Sequence, residues 1–302
     1  MIKVAVAGGT GHTGLHIVEG IVAAGKHEVV VLSRRAGSNP VLDKLGVPAI
    51  VVDYADPSSL DGALAGVHTV ISTIGGTTPE RVVAPQLALL NAALRVGVKR
   101  FAPSEFGIRS TPNIIVDLFR LRWPVLDAVM RSGLEYTVFE AGVFMNTLAI
   151  PTSGTGHLRL IPFIFDVQNC TADIPGDGTA QVVYIRAEDV GQFVAASLDL
   201  EVWPHYSQMR GERLTYNEIL RIVEDVRGRK FQTKYLSKEQ LQQAVGDNPS
   251  INSVSRMAAQ WGLEVLGDNP AGYEGKNLNE RFPEVQPMGI TEFVRTWWSK
   301  AE

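Results

Sequence analysis

Three glycines near the start of the chain have a spacing suited to binding an anion. Gly9, Gly11 and Gly14 fit G-x-G-x-x-G, and Gly8, Gly11 and Gly14 fit the wider G-x-x-G-x-x-G. They lie between an apolar run, residues 2–7, and a helical pattern opened by Leu15-His16-Ile17-Val18. A strand that turns directly into a helix offers the helix's unpaired N–H groups to a phosphate. Glycine lets the turn close, lets the backbone approach a pyrophosphate, and lets the helix pack on the strand. The chemistry implied is dinucleotide binding.

A second apolar run, residues 27–34, ends in Ser33-Arg34-Arg35, with Arg34 twenty positions beyond Gly14. At this place an acid holds the ribose 2′-hydroxyl of NAD, and a base takes the 2′-phosphate of NADP. Arg34 offers a planar fork to the phosphate, Ser33 adds a hydroxyl, and Lys44 is a candidate second cation. The cofactor expected is NADP(H).

Other reactive residue types are sparse. Ser104 lacks a G-x-S-x-G elbow, which argues against a nucleophilic hydrolase. His157 and His205 fall in loops and are candidate acids by residue type, a role few loop histidines have. His12 reads as packing against the cofactor and His16 as structural. No grouping of His, Cys, Asp and Glu has metal-ligand spacing, so no metal is expected. The strip Phe139, Phe144, Met145, Phe163 and Phe165 reads as core, with an apolar substrate pocket as the alternative.

The elements that must position these residues alternate regularly. Further strands are expected at 48–53, 68–74, 98–104 and 134–140, giving six by residue 140. Helices are expected at 14–24, 40–45, 57–64 and 85–96, with another ending at Ser132-Gly133. Nearly continuous apolar strands between helices predict a doubly wound parallel sheet, the Rossmann α/β class, with its ligand at the strands' carboxyl ends. Beyond residue 150 the pattern loosens. A turn at 174–179, a strand at 181–185 and helices at 188–198, 215–226, 237–245 and 293–298 suggest a smaller mixed α/β cap. Thr215-Tyr216-Asn217-Glu218 has the form of a capping box. We therefore expect a nucleotide-binding unit at 1–150 and a substrate-binding cap at 151–302, with segments returning to the first unit.

Composition excludes several classes. A 302-residue chain with 45% hydrophobic and 20% charged residues is typical of a globular protein. A net charge of −4 without basic runs argues against nucleic-acid or anionic-membrane partners. The single cysteine, Cys170, excludes an internal disulfide framework. A strand starting at residue 2 leaves no room for a leader, and no stretch approaches a membrane span, so a cytoplasmic location is expected. A homodimer is compatible with the sequence, which does not require one.

The segment from Gln86-Leu87-Ala88-Leu89-Leu90-Asn91-Ala92-Ala93 to Val98-Lys99-Arg100-Phe101-Ala102-Pro103-Ser104-Glu105-Phe106-Gly107, with the glycine run from Gly8, resembles one family. It is similar to the NmrA-like, isoflavone-reductase-like branch of the atypical short-chain dehydrogenase/reductases, fungal members in layout. The resemblance implies an NADPH-dependent reductase of an aromatic or apolar small molecule such as an enone, quinone, imine or benzylic ether. It implies that Thr10, Gly11, His12 and Thr13 lie on the pyrophosphate, and that Ser72, Thr73, Ile74 and Gly75 lie on the adenosine side. Pro103, Ser104, Glu105 and Phe106 would stand near the nicotinamide ribose, and Phe144 would shape the nicotinamide and substrate pocket.

Two departures matter. No tyrosine is followed four residues later by lysine, which this branch also lacks. Similar reductases carry a lysine eleven residues before the glycine of Gly133-Leu134-Glu135-Tyr136-Thr137, and here that position is Arg122. Arginine stays charged, so Arg122 suits oxyanion stabilisation and does not suit general base catalysis. Pro124 favours a helix start beside it. Arg122 is the candidate catalytic residue, with a structural ion pair or a surface position as the alternative. Two further readings stand: an NADP(H)-sensing regulator, and a cofactor-bound isomerase or cyclase without net redox chemistry.

Overall fold

The structure, a computed structural model, describes residues 1–159, 161–267 and 277–299. Strand β1 (Lys3–Ala7) is buried almost throughout, and successive side chains serve opposite cores. Val4 and Val6 join one cluster and Ala5 and Ala7 another, as the two-residue period of a strand requires. With β2 (Glu28–Ser33), β3 (Ala49–Val51), β4 (Thr69–Ser72), β5 (Arg100–Ala102) and β6 (Glu135–Tyr136) it forms a six-stranded sheet in the order β3-β2-β1-β4-β5-β6. All five pairings are parallel. The order reverses between β1 and β4, where a doubly wound sheet opens its crevice.

Helix α1 (His12–Ala24) follows β1 and ends on Gly25 in the left-handed conformation. Helices α2 (Pro40–Leu45) and α3 (Pro57–Leu64) start at Asn39 and Asp56, whose side chains accept backbone N–H bonds, each with proline in the first turn. Helix α4 (Pro79–Val96) begins a turn and a half earlier than the expected 85–96. Pro79 stands where a missing N–H costs nothing. Pro85 is tolerated inside the helix, where its ring is buried. After β5 the chain is irregular to α5 (Asp117–Arg120) and α6 (Trp123–Arg131). The sixth expected strand is split. After β6, Val138–Glu140 forms β7, which pairs with a strand from much later in the chain, Tyr206–Gln208.

Residues beyond 150 return to the first half at several places. Strand Val143–Phe144 pairs with Gln181–Ile185. Helix α7 (Ala187–Ser197) lies on α1 so closely that a Cβ on Gly191 would stand 2.2 Å from the His16 carbonyl oxygen. A third core, around Phe165, Tyr184, Tyr216 and Trp298, unites the helices Tyr216–Arg227, Val254–Val265 and Ile290–Trp298 with two small sheets. Residues 215–226 form a helix as expected, at Tyr216–Arg227, with both bonds of the Thr215/Glu218 capping box made. The strand Thr171–Pro175 and the helix Val254–Val265 had no sequence expectation. No helix among the described residues is long and apolar enough to cross a membrane.

Candidate functional site

The glycine turn is built as its spacing predicts. Gly8 has φ +79°, and a Cβ on Gly14 would stand 2.4 Å from the Gly8 carbonyl oxygen. A Cβ on Gly9 would stand 2.7 Å from Val31, so each of the three glycines is required by close packing. Gly11 caps α1 without any side-chain bond, leaving the first-turn N–H groups for an anion. Thr73 ties the neighbouring strand end to this turn, its N–H and Oγ1 both donating to the Ala7 carbonyl at 2.8 and 2.9 Å.

A groove of about 480 Å³ runs over this turn. Gly8, Thr10, Gly11, His12 and Thr13 line its centre, Thr73, Ile74 and Gly75 one side, and Ser33 and Arg34 its far end. An uncapped helix start, a glycine cradle and a terminal arginine together fit a dinucleotide bearing a 2′-phosphate. Tyr54 also lines the groove, a residue the sequence reading missed although it follows a strand end. Burial pushes its hydroxyl up to about 12, with Arg34 opposing the shift. His12 is pulled below its ordinary pKa by burial and then by Arg159, so it faces the groove as a neutral ring.

Four expected cofactor residues line neither the groove nor the cavity described next, one of them Gly14, which packs against the Gly8 carbonyl beneath the turn. Lys44 is exposed on α2 and lines neither, so its position corrects the expectation of a second phosphate-binding cation. Ser72 is fully buried beneath the strand end, where its Oγ accepts the Ile74 N–H. Pro103 is buried, its carbonyl accepting from Glu105 N–H at 2.9 Å. Ser72 and Pro103 therefore shape the walls from behind, because alternate residues at a strand end face away from the crevice.

A second cavity, of about 390 Å³, shares Thr13, Thr73 and Gly75 with the groove. Ser104, Glu105, Phe106 and Phe144 line it next to that junction, and Phe119, Phe163, Met257 and Trp261 supply apolar walls. Gln86 of α4, fully buried, positions Ser104 by accepting its N–H at 2.9 Å. Phe106 has φ +41°, a conformation a bulky side chain rarely adopts, and is held there by stacking on Phe139 at 5.7 Å. Gly107 admits the Phe119 ring, which a Cβ would meet at 2.5 Å. Of the expected aromatic strip, Phe144 and Phe163 reach the cavity, whereas Phe139, Met145 and Phe165 are core.

Arg122 sits in this cavity at the start of α6, where the Pro124 signal places a helix start. Its Nη1 donates to the Glu105 carbonyl at 2.7 Å, its guanidinium lies 5.1 Å from the Phe119 ring, and its Nε is buried without a partner. Burial draws its pKa down against the pull of Glu105. The segment bearing it is anchored by Asp117, whose carboxylate accepts from Arg256 Nε and Gln260 Nε2, each at 2.7 Å. Burial opposes the ionisation of Asp117, yet these bonds hold its pKa below the usual value. Glu105 itself is buried and pushed up to about 7 by that burial, although Arg122 and two bonds from Ser110 favour its charged form.

The remaining histidines lie away from the junction. His205 stacks on Tyr136 at 4.6 Å. His16, Glu19 and His157 meet where the 153–157 loop crosses α1, a cluster of potential ligands that no local spacing announces. His16 Nε2 accepts the His157 backbone N–H at 3.2 Å, so the neutral ring carries its proton on Nδ1, facing Glu19 3.7 Å away. His157 Nε2 in turn lies 2.9 Å from Glu19 Oε1, so the bonds of His157 to His16 and Glu19 clamp the loop to α1, while His16 Nδ1 has no hydrogen-bond partner among the described residues.

The description "NmrA-like family" attaches to the sequence profile that matches residues 2–293. The oxidoreductase BOA1 of Botryotinia fuckeliana is 31% identical over 301 residues, 98% of each chain. The phenylcoumaran benzylic ether reductase IRL1 of Ginkgo biloba is 27% identical over 315 residues, 97% of each. Among solved structures, AtPrR2 with NADP+ and (+)-pinoresinol superposes with a TM-score of 0.80 at 23% identity, covering 98% of both chains. The ternary complex of leucoanthocyanidin reductase from Vitis vinifera gives 0.77 at 22% identity, covering 99% of this chain and 100% of that one. At these identities the two superpositions establish a shared fold.

Proposed function

The chain belongs to the NmrA-like family, and from that premise we propose that it is an NADPH-dependent reductase of an aromatic or apolar small molecule. One observation carries the reading. A groove ending in Arg34 and an apolar cavity containing Arg122 meet at Thr13, Thr73 and Gly75. A dinucleotide laid along the groove with its 2′-phosphate at Arg34 brings its other end to that junction. The relatives named as oxidoreductases and the solved complex with NADP+ support the same assignment. The cavity volume falls within the range of small-ligand sites, and a purely regulatory nucleotide sensor needs no such chamber.

When bound, the reduced nicotinamide supplies the hydride. The chain's own residues orient and polarise. Ser104, fixed by Gln86, and Phe106, fixed by Phe139, form the wall between cofactor and substrate. Arg122 is a cation at the cavity wall, suited to hold negative charge that develops on a substrate oxygen as hydride arrives. It keeps its own proton and does not donate one.

The test is NADPH oxidation, followed at the reduced-nicotinamide absorbance band, against a panel of quinones, aryl enones, cyclic imines and benzylic ethers, with NADH as the control. Turnover with NADPH and not NADH is expected. Tight NADPH binding without oxidation across the panel would move the protein to the sensor or isomerase readings.

A further inference from the structure

Two arginines and one carboxylate are the charged groups lining the cavity among the described residues: Arg122, Arg159 and Glu105. Several partly buried arginines elsewhere are paired, although Arg227, which lies over the Trp298 ring, has no ion pair among the described residues. Arg100 meets Glu135 at 2.9 Å, Arg109 meets Glu140 at 2.5 Å, and Arg256 meets Asp117 at 2.7 Å. Neither cavity arginine has an ion pair among the described residues. Arg122 gives one bond to a main-chain carbonyl, lies near the Phe119 ring, and leaves Nε buried without an acceptor. Arg159 is exposed at the cavity mouth. Glu105 does not neutralise them by contact, because its two carboxyl oxygens face the Ser110 N–H and hydroxyl at 2.9 and 3.0 Å.

An unpaired guanidinium against apolar walls is costly unless a ligand supplies the acceptors. A neutral aromatic ligand would fill the space beside Phe144, Phe163 and Trp261 and leave the buried Nε of Arg122 unmatched, with Arg159 solvated at the mouth. A carboxylate offers two oxygens to a planar fork, the strongest pairing open to arginine. We propose that the substrate is an organic anion, an aromatic or alicyclic body bearing a carboxylate that Arg122 and Arg159 hold. The inference rests on the reading that this cavity is the substrate site, and it narrows the substrate to an acid.

The experiment titrates 2-naphthoate and its methyl ester into the NADP+-loaded protein by calorimetry. Wild type, Arg122→Gln, Arg122→Lys and Arg159→Gln are compared, and NADP+ is first titrated alone into each. The acid should bind at least about tenfold tighter than the ester. Each glutamine variant should lose about tenfold for the acid and little for the ester, and Arg122→Lys should keep part of the preference. An ester that binds as tightly as the acid, a preference that survives both glutamine variants, or binding of neither probe overturns the proposal. An Arg159→Gln variant that weakens NADP+ while keeping the acid preference overturns the pairing and assigns Arg159 to the cofactor phosphates. Absence of NADP+ binding counts against the reductase reading instead. The two probes are then titrated into the unloaded protein, where the acid's advantage still decides the anion site.

Discussion

Arg122 donates from Nη1 to the main-chain oxygen of Glu105 at 2.7 Å, so the cavity's fixed cation is fastened to the loop that follows β5. The bond sets the guanidinium's position without neutralising it, since a peptide carbonyl carries no net charge. Truncation should therefore remove charge stabilisation and leave the cofactor groove intact. Arg122→Ala should lower kcat/KM for the organic substrate by about a hundredfold, the size of one lost oxyanion contact. Arg122→Lys should recover part of this, because the charge remains and the fork is lost. Steady-state kinetics decide the matter: wild-type kcat/KM in Arg122→Ala would make the residue structural.

Arg34 lines the end of the groove beside Ser33 and Tyr54. A charged hydrogen bond is worth roughly 1.5–3 kcal/mol, so Arg34→Ala should weaken NADPH by about ten- to a hundredfold. NADH, which has no 2′-phosphate, should bind nearly as before. Fluorescence titration of the two reduced nucleotides measures both. An equal loss for both would place Arg34 in folding and not in recognition.

Gly20 and Gly191 let α1 and α7 touch. A Cβ on Gly20 would stand 2.3 Å from the Gly191 carbonyl carbon, and one on Gly191 would stand 2.2 Å from the His16 carbonyl oxygen. Alanine raises helix propensity by about 1 kcal/mol over glycine. Overpacking costs about 1–3 kcal/mol, and here the obstacle is rigid backbone, so the clash should win. Gly191→Ala should lower the thermal midpoint by a few degrees or more. A rise would show that the helices separate freely.

His16 is 2% exposed, and its pKa is drawn from 6.5 to about 4, first by burial and then by His157. Between those values the unfolded chain binds more protons than the folded one, so stability must fall as pH falls from 6.5 toward 4. At about 1.4 kcal/mol per pKa unit, the loss is at most about 3 kcal/mol. Denaturant melts across this range should show it, and His16→Gln should flatten the slope.

Glu105 acts in the opposite direction. Its pKa is raised from 4.5 to about 7, chiefly by burial, so the folded chain holds the extra proton. Stability should fall as pH rises through that window, again by at most about 3 kcal/mol. Glu105→Gln should abolish that component and make the protein more stable near pH 8 than wild type. A variant less stable at every pH would mean that the Ser110 bonds outweigh the buried charge.

Sequence patterns of short range carried much of this molecule. The glycine turn, the C-cap at Gly25 and the Thr215/Glu218 box depend on residues a few positions apart, and the parallel sheet announced itself in apolar runs alternating with helices. Such features follow from local sterics and hydrogen bonding, and a linear string displays them. Lys44 shows the limit: its charge made it a candidate second cation, but the turn of α2 leaves it exposed outside the groove.

The second cavity was not legible in the residue order and follows from long-range packing. Arg122 and Arg159 meet Met257 and Trp261 there because α7 returns to α1, strand Tyr206–Gln208 returns to β7, and Asp117 is pinned by Arg256. The His16, Glu19 and His157 clamp arises in the same way, from partners 138 and 141 residues apart. These juxtapositions are fixed by which apolar surfaces bury against one another, an energy spread over many contacts that no spacing of a few residues records. Local residue patterns were enough for the glycine turn and the parallel sheet beneath it. The packing of the later segments set what stands opposite that turn, and with it the charge and shape of the second cavity.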